Sequence, residues 1–338
     1  MKKTLVWACL VMLFTRSWAQ TTPVEFQNVI PVSTVSPDAA SLGKFGNIPV
    51  SYETGVPSVT IPLYEINAGG IKIPLSLDYH GGGVRVDECA SSVGISWALN
   101  GIGLISRNVV GLADEDGSRG YLKSPSADSL LSFFGGTAYG HTTDLAFGNY
   151  FYQIRDQLQD TEPDVFSYTL MGESGKFIYR RDGSTMQIPV SNNKIEVVPA
   201  GGANTFKITD HQGVVYIFDQ KELTESVSAG ATGPGTYVSS WRLSKMIAAN
   251  SVDTIYFKYQ QGGGGIERSW HFSNTLGDKL VGSPPGLQDA SGISSSVSSI
   301  AHDLELFPTE IDWRGGKVVF TNAQDRTDRT GELRLDSV

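Results

Sequence analysis

The sequence predicts a mainly β fold, with antiparallel hairpins forming a curved sheet or sandwich and one or two short helices around residues 126–159. Three observations carry this. Apolar and polar residues alternate strictly through Ile71–Tyr79; after Pro163, glycine-marked turns separate aromatic-rich runs; and helical apolar spacing is confined to the middle of the chain.

At the front, Lys2 and Lys3 precede the apolar run 5–14, and Ser17-Trp18-Ala19 supplies small residues for cleavage between Ala19 and Gln20. That is the layout of a secretory signal peptide, and the run is about half the roughly twenty residues a membrane-spanning helix needs. Cys9 lies inside the run, which speaks against a lipid-bearing cysteine. Removing 1–19 takes away Lys2, Lys3 and Arg16, leaving 23 basic against 35 acidic residues and a net charge of −12. An acidic, exported chain with no transmembrane anchor is expected, secreted or at the cell surface. It has no basic block to engage nucleic acid. Cys89 is then the one remaining cysteine, so stability must come from burial.

The extended lead-in 20–36 is kept from helix by Pro23 and Pro31, with Pro37 just after it. A first β region spans 37–125. Within it, Val59, Ile61 and Leu63 repeat the alternation of 71–79, and Asn67, Gly69 and Gly70 mark the turn of an antiparallel pair. Pro62 and Pro74 should sit at a bulge or where no ladder donor is needed. Asn100-Gly101 between the apolar runs 93–99 and 102–112 predicts a further hairpin.

A short helical insertion follows at 126–162. Apolar residues at helical spacing over 126–134 and 149–159, with Ser126 and Asp128 as caps, predict two helices. The second β region, 163–338, is a succession of hairpins: 164–170 with 177–179 and the turn Asp182-Gly183, 206–213 with 214–218, and 310–316 with 317–320. Their glycines fall at unequal intervals, against a solenoid or propeller. The Gly- and Ser-rich stretches 228–235, 262–265 and 282–299 read as surface loops, and 333–338 as a terminal strand without a partner.

The chemistry-bearing patterns are missing. There is no Gly-x-Ser-x-Gly elbow, His-Glu-x-x-His or phosphate-binding loop, and His80, His141, His211, His271 and His302 are too scattered for paired metal ligands on a helix. The expectation is a chain that is not an enzyme and has no cofactor. Asp114-Glu115-Asp116 with Gly117 is the one acidic spot that suggests a calcium site, against the plainer reading of a solvated acidic turn. Trp97, Trp241, Trp270 and Trp313 suggest a sugar-stacking platform, against core packing. Cys89 has no basic neighbour in sequence and reads as a passive thiol.

Several segments together resemble the N-terminal region of large secreted RHS/YD-repeat proteins. They are Ser36-Pro-Asp-Ala-Ala-Ser-Leu-Gly-Lys-Phe-Gly46 with Ile48-Pro-Val50, Ile61-Pro-Leu63 with Pro74-Leu-Ser-Leu-Asp-Tyr-His80, and Val86-Asp-Glu88 with Val93-Gly-Ile-Ser-Trp-Ala-Leu-Asn100. Further along come Glu162-Pro-Asp-Val-Phe166 with Gly175-Lys-Phe177, Ser240-Trp-Arg-Leu-Ser-Lys245, and Asp325-Arg326 with 333–338. The resemblance implies a non-catalytic, shell-forming or scaffolding segment, with toxic activity carried by a separate C-terminal effector. Neither Tyr-Asp repeats nor an effector occurs in this chain. The implied partner is a downstream repeat region, or a second copy joined through the terminal strand. The alternative is an extracellular carbohydrate- or surface-binding β module, whose partner is a glycan.

Overall fold

The computed structural model describes residues 50–81, 89–117, 119–125, 141–156, 158–201, 203–228, 235–250, 252–263, 266–275, 292–329 and 331–338. The leader, its cleavage point at Ala19 and Gln20, the lead-in and the helix expected over 126–134 all lie outside the described residues. No described helix is long and apolar enough to cross a membrane.

The first strands follow from the alternation. β1 (Val59–Ala68) and β2 (Ile71–Tyr79) pair antiparallel around Gly69-Gly70, which both take positive φ as a two-residue turn requires. Ile71, Ile73 and Leu75 are buried while Lys72 and Pro74 are exposed. β1 departs from its expected phase. Its register shifts between Pro62 and Tyr64, placing Ile66 opposite Ile73 in the core and leaving Ile61 45% and Leu63 37% exposed. Pro62 thus sits at a bulge, as a strand proline should. Pro74 lies where β2 has β1 as its one neighbour, because β3 (Trp97–Asn100) pairs with residues 76–79 alone.

Asn100-Gly101 does not close a hairpin. β3 stays with β2, whereas β4 (Leu104–Asn108) pairs with β5 (Val165–Thr169) and with β11 (Gly235–Ile247) in a different sheet. Gly101, at φ +93°, takes the chain across instead. A Cβ there would lie 2.6 Å from the Pro74 carbonyl oxygen, so the glycine is fixed by close backbone approach.

The large sheet has twelve strands. Besides β4, β5 and β11 it contains β6 (Ser174–Tyr179), β7 (Thr185–Gln187), β8 (Lys194–Val198), β9 (Thr205–Thr209), β10 (Val215–Ser228), β12 (Thr254–Gly262), β13 (Ile266–Thr275), β14 (Gly292–Trp313) and β15 (Gly316–Val319). The hairpins expected at β5–β6–β7, β9–β10 and β14–β15 all form. The Ser-rich stretch at 292–299 is not a loop: it opens the 22-residue β14 and pairs with β13 and β10, which satisfy its backbone where its side chains offer little β preference.

The sheet closes on itself through its longest strands. β10 pairs with β11 along most of its length; the end of β11 pairs with β12, β12 with the second half of β14, and the first half of β14 returns to β10. Three register shifts along β10–β11 supply the extra bend and twist this circuit needs. On one flank lie β4 to β7, on the other β8 and β9. Between them sit Phe166, Phe177, Phe206 and Trp241, all with no exposed surface. Phe166 stacks on Phe177 at 4.9 Å, and Phe206 meets Trp241 edge-on at 5.0 Å.

Among the described residues there is one helix, α1 (His141–Arg155). It starts earlier than the pattern 149–159 suggests and stops sooner, because the Leu158 and Gln159 amides both donate back to the Gln153 carbonyl at 2.7 and 3.2 Å. The terminal strand also differs from expectation. β17 (Arg334–Ser337) pairs with β16 (Thr321–Ala323), and the Leu335 amide donates to the Ser92 carbonyl at 2.8 Å. Its partner is a three-residue strand, too short to stand out in the sequence.

Phe206→Ala removes the ring that touches Phe166, Phe177, Tyr179 and Trp241. A loss of about 3–5 kcal/mol in unfolding free energy is expected by denaturant titration, and an unchanged midpoint would contradict the placement of the core.

Candidate functional site

The acidic residues flagged in the sequence do not converge. Asp114 is wholly buried and accepts the Asp164 amide N–H on both oxygens, at 3.0 and 3.2 Å. Glu115 accepts from Arg107 at 2.5 Å, and Asp116 faces Arg119 at 2.7 Å. Among the described residues no three His, Cys, Asp or Glu side chains are grouped to hold a metal ion. What assembles instead is a clamp. Arg107 Nε donates to Asp164 Oδ2 at 2.7 Å, and Asp164 also accepts the amides of Val110 and Asp114 at 2.8 and 3.0 Å, tying the end of β4 and its following turn to the entry of β5.

Burial, and next the charge of Asp164, push the Asp114 carboxyl up to about 8. The clamp therefore joins one guanidinium to Asp164 and Glu115 while Asp114 stays protonated at neutral pH. Nearby, Asp160 accepts the Leu112 amide at 3.2 Å, and Arg181 donates to the carbonyls of Tyr121 and Ser124, both at 2.6 Å. Every one of these bonds pins a loop.

The tryptophans are dispersed. Trp241 is in the core with its indole N–H donated to the Asn204 carbonyl at 2.8 Å. Trp97 is half-buried against Tyr79 at 5.3 Å, and Trp313 half-buried near Tyr64 at 6.4 Å. The Trp270 side chain lies outside the described residues, as do those of His141, His271 and His302. His80 is exposed, and His211 Nδ1 lies 3.1 Å from Glu173.

Buried charge borders open space at a cavity of about 430 Å³ between β3, β4, β11, β14 and the segment 326–332. Val93, Trp97, Leu99, Leu104 and Phe307 form its apolar wall. Its polar wall is Arg242, Glu305, Arg326, Arg329 and Glu332, and exposed Cys89 stands at its edge. Arg326 donates to Glu332 at 2.9 Å, to both oxygens of Asp328 at 3.0 and 2.7 Å, and to the Ala90 carbonyl at 2.7 Å. Arg329 pairs with Glu332 at 2.7 Å. Arg242 donates to Glu222 at 2.9 Å, and Glu222 also accepts the Leu306 amide at 3.0 Å and the Ser240 hydroxyl. Glu305 Oε2 and Glu332 Oε1 are both closed off from solvent and accept no hydrogen bond, but Glu332 Oε1 lies 2.7 Å from Arg329, whereas Glu305 makes no ion pair among the described residues. Burial, then the charges of Glu332 and Glu222, push its carboxyl up to about 7. Sequence reading missed this site because its charges come from 242, 305, 326, 329 and 332, with no shared motif.

No family model matches the chain, and no curated protein matches it. Among solved structures it is similar to the N-terminal domain of effector protein SpvB from Salmonella typhimurium strain LT2, at 13% identity and a TM-score of 0.30 over 76% of this chain. It is also similar to a chain in the crystal structure of TcdB2-TccC3-Cdc42, at 12% identity and a TM-score of 0.34 over 83% of this chain. The chain spans 63% of the first and 15% of the second.

The clamp gives two predictions. Arg107→Ala strands the Asp164 and Glu115 carboxylates in the interior and should cost about 3–5 kcal/mol; a loss below about 1 kcal/mol, the range of an exposed pair, would contradict it. Because the Asp114 pKa is raised in the folded state, its stabilising contribution is full at acid pH and is lost as pH rises through about 8. Asp114→Asn keeps an acceptor for the Asp164 amide and removes the charge. The fall in thermal midpoint between pH 5 and pH 9 should therefore be smaller in this variant than in the parent, and equal slopes would refute the assignment.

Proposed function

We propose that the chain is a non-catalytic structural segment of a secreted RHS/YD-repeat-type protein, forming the start of a β-sheet shell or scaffold. One observation carries the reading: three of the segments behind the resemblance fall at the joints of the fold. Glu162-Pro-Asp-Val-Phe166 brings Asp164 to the buried clamp and Phe166 to the aromatic core, Gly175-Lys-Phe177 brings the ring stacked on Phe166, and Ser240-Trp-Arg-Leu-Ser-Lys245 is the centre of β11. These three segments contribute to the joints on which sheet assembly depends. Such a segment needs a continuous sheet and a buried core, and both are present in the twelve-stranded sheet with its aromatic centre.

In this reading the leader exports the chain and the partner is a downstream repeat region. β17 lies next to that region in sequence and has β16 as its ladder partner over three residue pairs. Two measurements test the proposal together. The coding frame read past Val338 is expected to continue into Tyr-Asp-rich repeats, and tryptophan fluorescence titrated with a glycan panel is expected to show no saturable shift. A stop codon directly after Val338, or a saturable glycan response lost in Trp97→Ala or Trp313→Ala, would overturn it.

A further inference from the structure

We infer that the cavity between β3, β14 and the segment 326–332 is a binding site for a primary ammonium on an alkyl stem, the chemistry of a lysine side chain or an alkylamine, with Glu305 as its counter-ion. This goes beyond the scaffold role, and neither depends on the other.

The site sets three guanidinium groups, Arg242, Arg326 and Arg329, beside the carboxylates Glu222, Glu332, Asp328 and Glu305. The first three carboxylates each have an arginine within 2.9 Å. Glu305 Oε2 is shut off from water and accepts nothing, and unlike Glu332 Oε1, which lies 2.7 Å from Arg329, it makes no ion pair among the described residues. A buried acceptor without a donor is costly, and more so when charged. Among the described residues Arg326 is held at four acceptor atoms, Arg242 by Glu222 and Arg329 by Glu332, so three guanidinium groups stand against four carboxylates and one negative charge is in excess. The group that completes the cluster must bring its own positive charge and at least one N–H.

The shape of the site selects among cations. About 430 Å³ exceeds what a bare metal ion requires, and no second carboxylate is free to share one, since Glu222 and Glu332 are engaged by arginines. The remaining wall is apolar, with Trp97, Leu99, Leu104 and Phe307 suited to methylenes and the Trp97 ring to a cation beside it. A carboxyl raised to about 7 is half-ionised at neutral pH, and an incoming ammonium would favour its charged form. Phosphate and carboxylate ligands fit poorly, because the arginines are already neutralised and Glu305 would repel them.

Isothermal titration of the exported chain with n-hexylamine at pH 8, with n-hexanol as its uncharged counterpart, tests the site. Saturable binding of the amine is expected, weakened at least about tenfold in Glu305→Gln and absent with the alcohol. Glu305→Gln keeps the side chain's shape and removes a buried charge, so folding should persist, and an unchanged circular dichroism spectrum checks this. Cys89 gives a second readout, because it lines the cavity and is exposed: its alkylation by iodoacetamide should slow when hexylamine is bound. No saturation below about 10 mM, equal affinity in Glu305→Gln, or equal binding of hexanol would each overturn the inference. None of these results bears on the downstream frame or the glycan titration, so the two readings fail separately.

Discussion

β11 has to satisfy neighbours on both of its edges from Ser240 to Ile247, and the architecture depends on how it does so. One edge belongs to β10 throughout; the other passes from β4 at Ser240–Arg242 to β12 at Lys245–Ile247. In the middle of the β4 pairing, opposite Ile105, sits Trp241, wholly buried, with its single polar atom matched to the Asn204 carbonyl. A large ring without rotamer freedom can occupy this point because Phe166 and Phe206 reach it from the two flanks of the sheet at 5.7 and 5.0 Å. Aromatic pairs of this kind add about 0.5–1.5 kcal/mol each beyond the area they bury. The core is thus a contact between flanks that are distant in sequence, made possible by one strand they share.

Charge is buried where the chain changes direction. The Arg107 clamp fixes the turn after β4 to the entry of β5, and Arg242 with Glu222 and the Leu306 amide fixes β11, β10 and β14 to one another. Ion pairs in such places add little net stability, since desolvation offsets most of the attraction. Their effect is on alternatives: a register slip of one residue in β10, β11 or β14 would leave a guanidinium or carboxylate buried without its partner, at a cost of several kcal/mol. Apolar packing supplies the driving force, and the ionic contacts decide which packing is reached.

The fold class was legible because it rests on local signals. Alternation over Ile71–Tyr79 and the glycine turns between β5, β6 and β7 report directly on backbone conformation. The same locality explains the misreadings. Asn100-Gly101 has the composition of a hairpin turn, yet the positive φ it permits serves a crossing between sheets, and only the approach of Pro74 reveals this. The bulge after Pro62 inverts the buried face of β1 without altering its composition. Residues 292–299 hold five serines and a glycine beside Ile293 and Val297, yet are flanked by β10 and β13, so tertiary pairing overrides the weak propensity. The acidic run at 114–116 was visible, but its partners Arg107 and Asp164 belong to separate strand segments, and what it does follows from them. The Glu305 cavity left no sequence signal, since its charges are spread over ninety residues of chain and meet only after β11 and β14 are in place.

β10 and β11 should be the last structure to open, with the flanking strands and the β16–β17 pair held by them. Native-state amide hydrogen exchange measures this directly. The account predicts that the amides of Trp241, Leu243 and Ile217 exchange only through global unfolding, while those of Asn322 and Leu335 exchange through local opening at lower free energy. Earlier exchange at Trp241 than at Leu335 would contradict it.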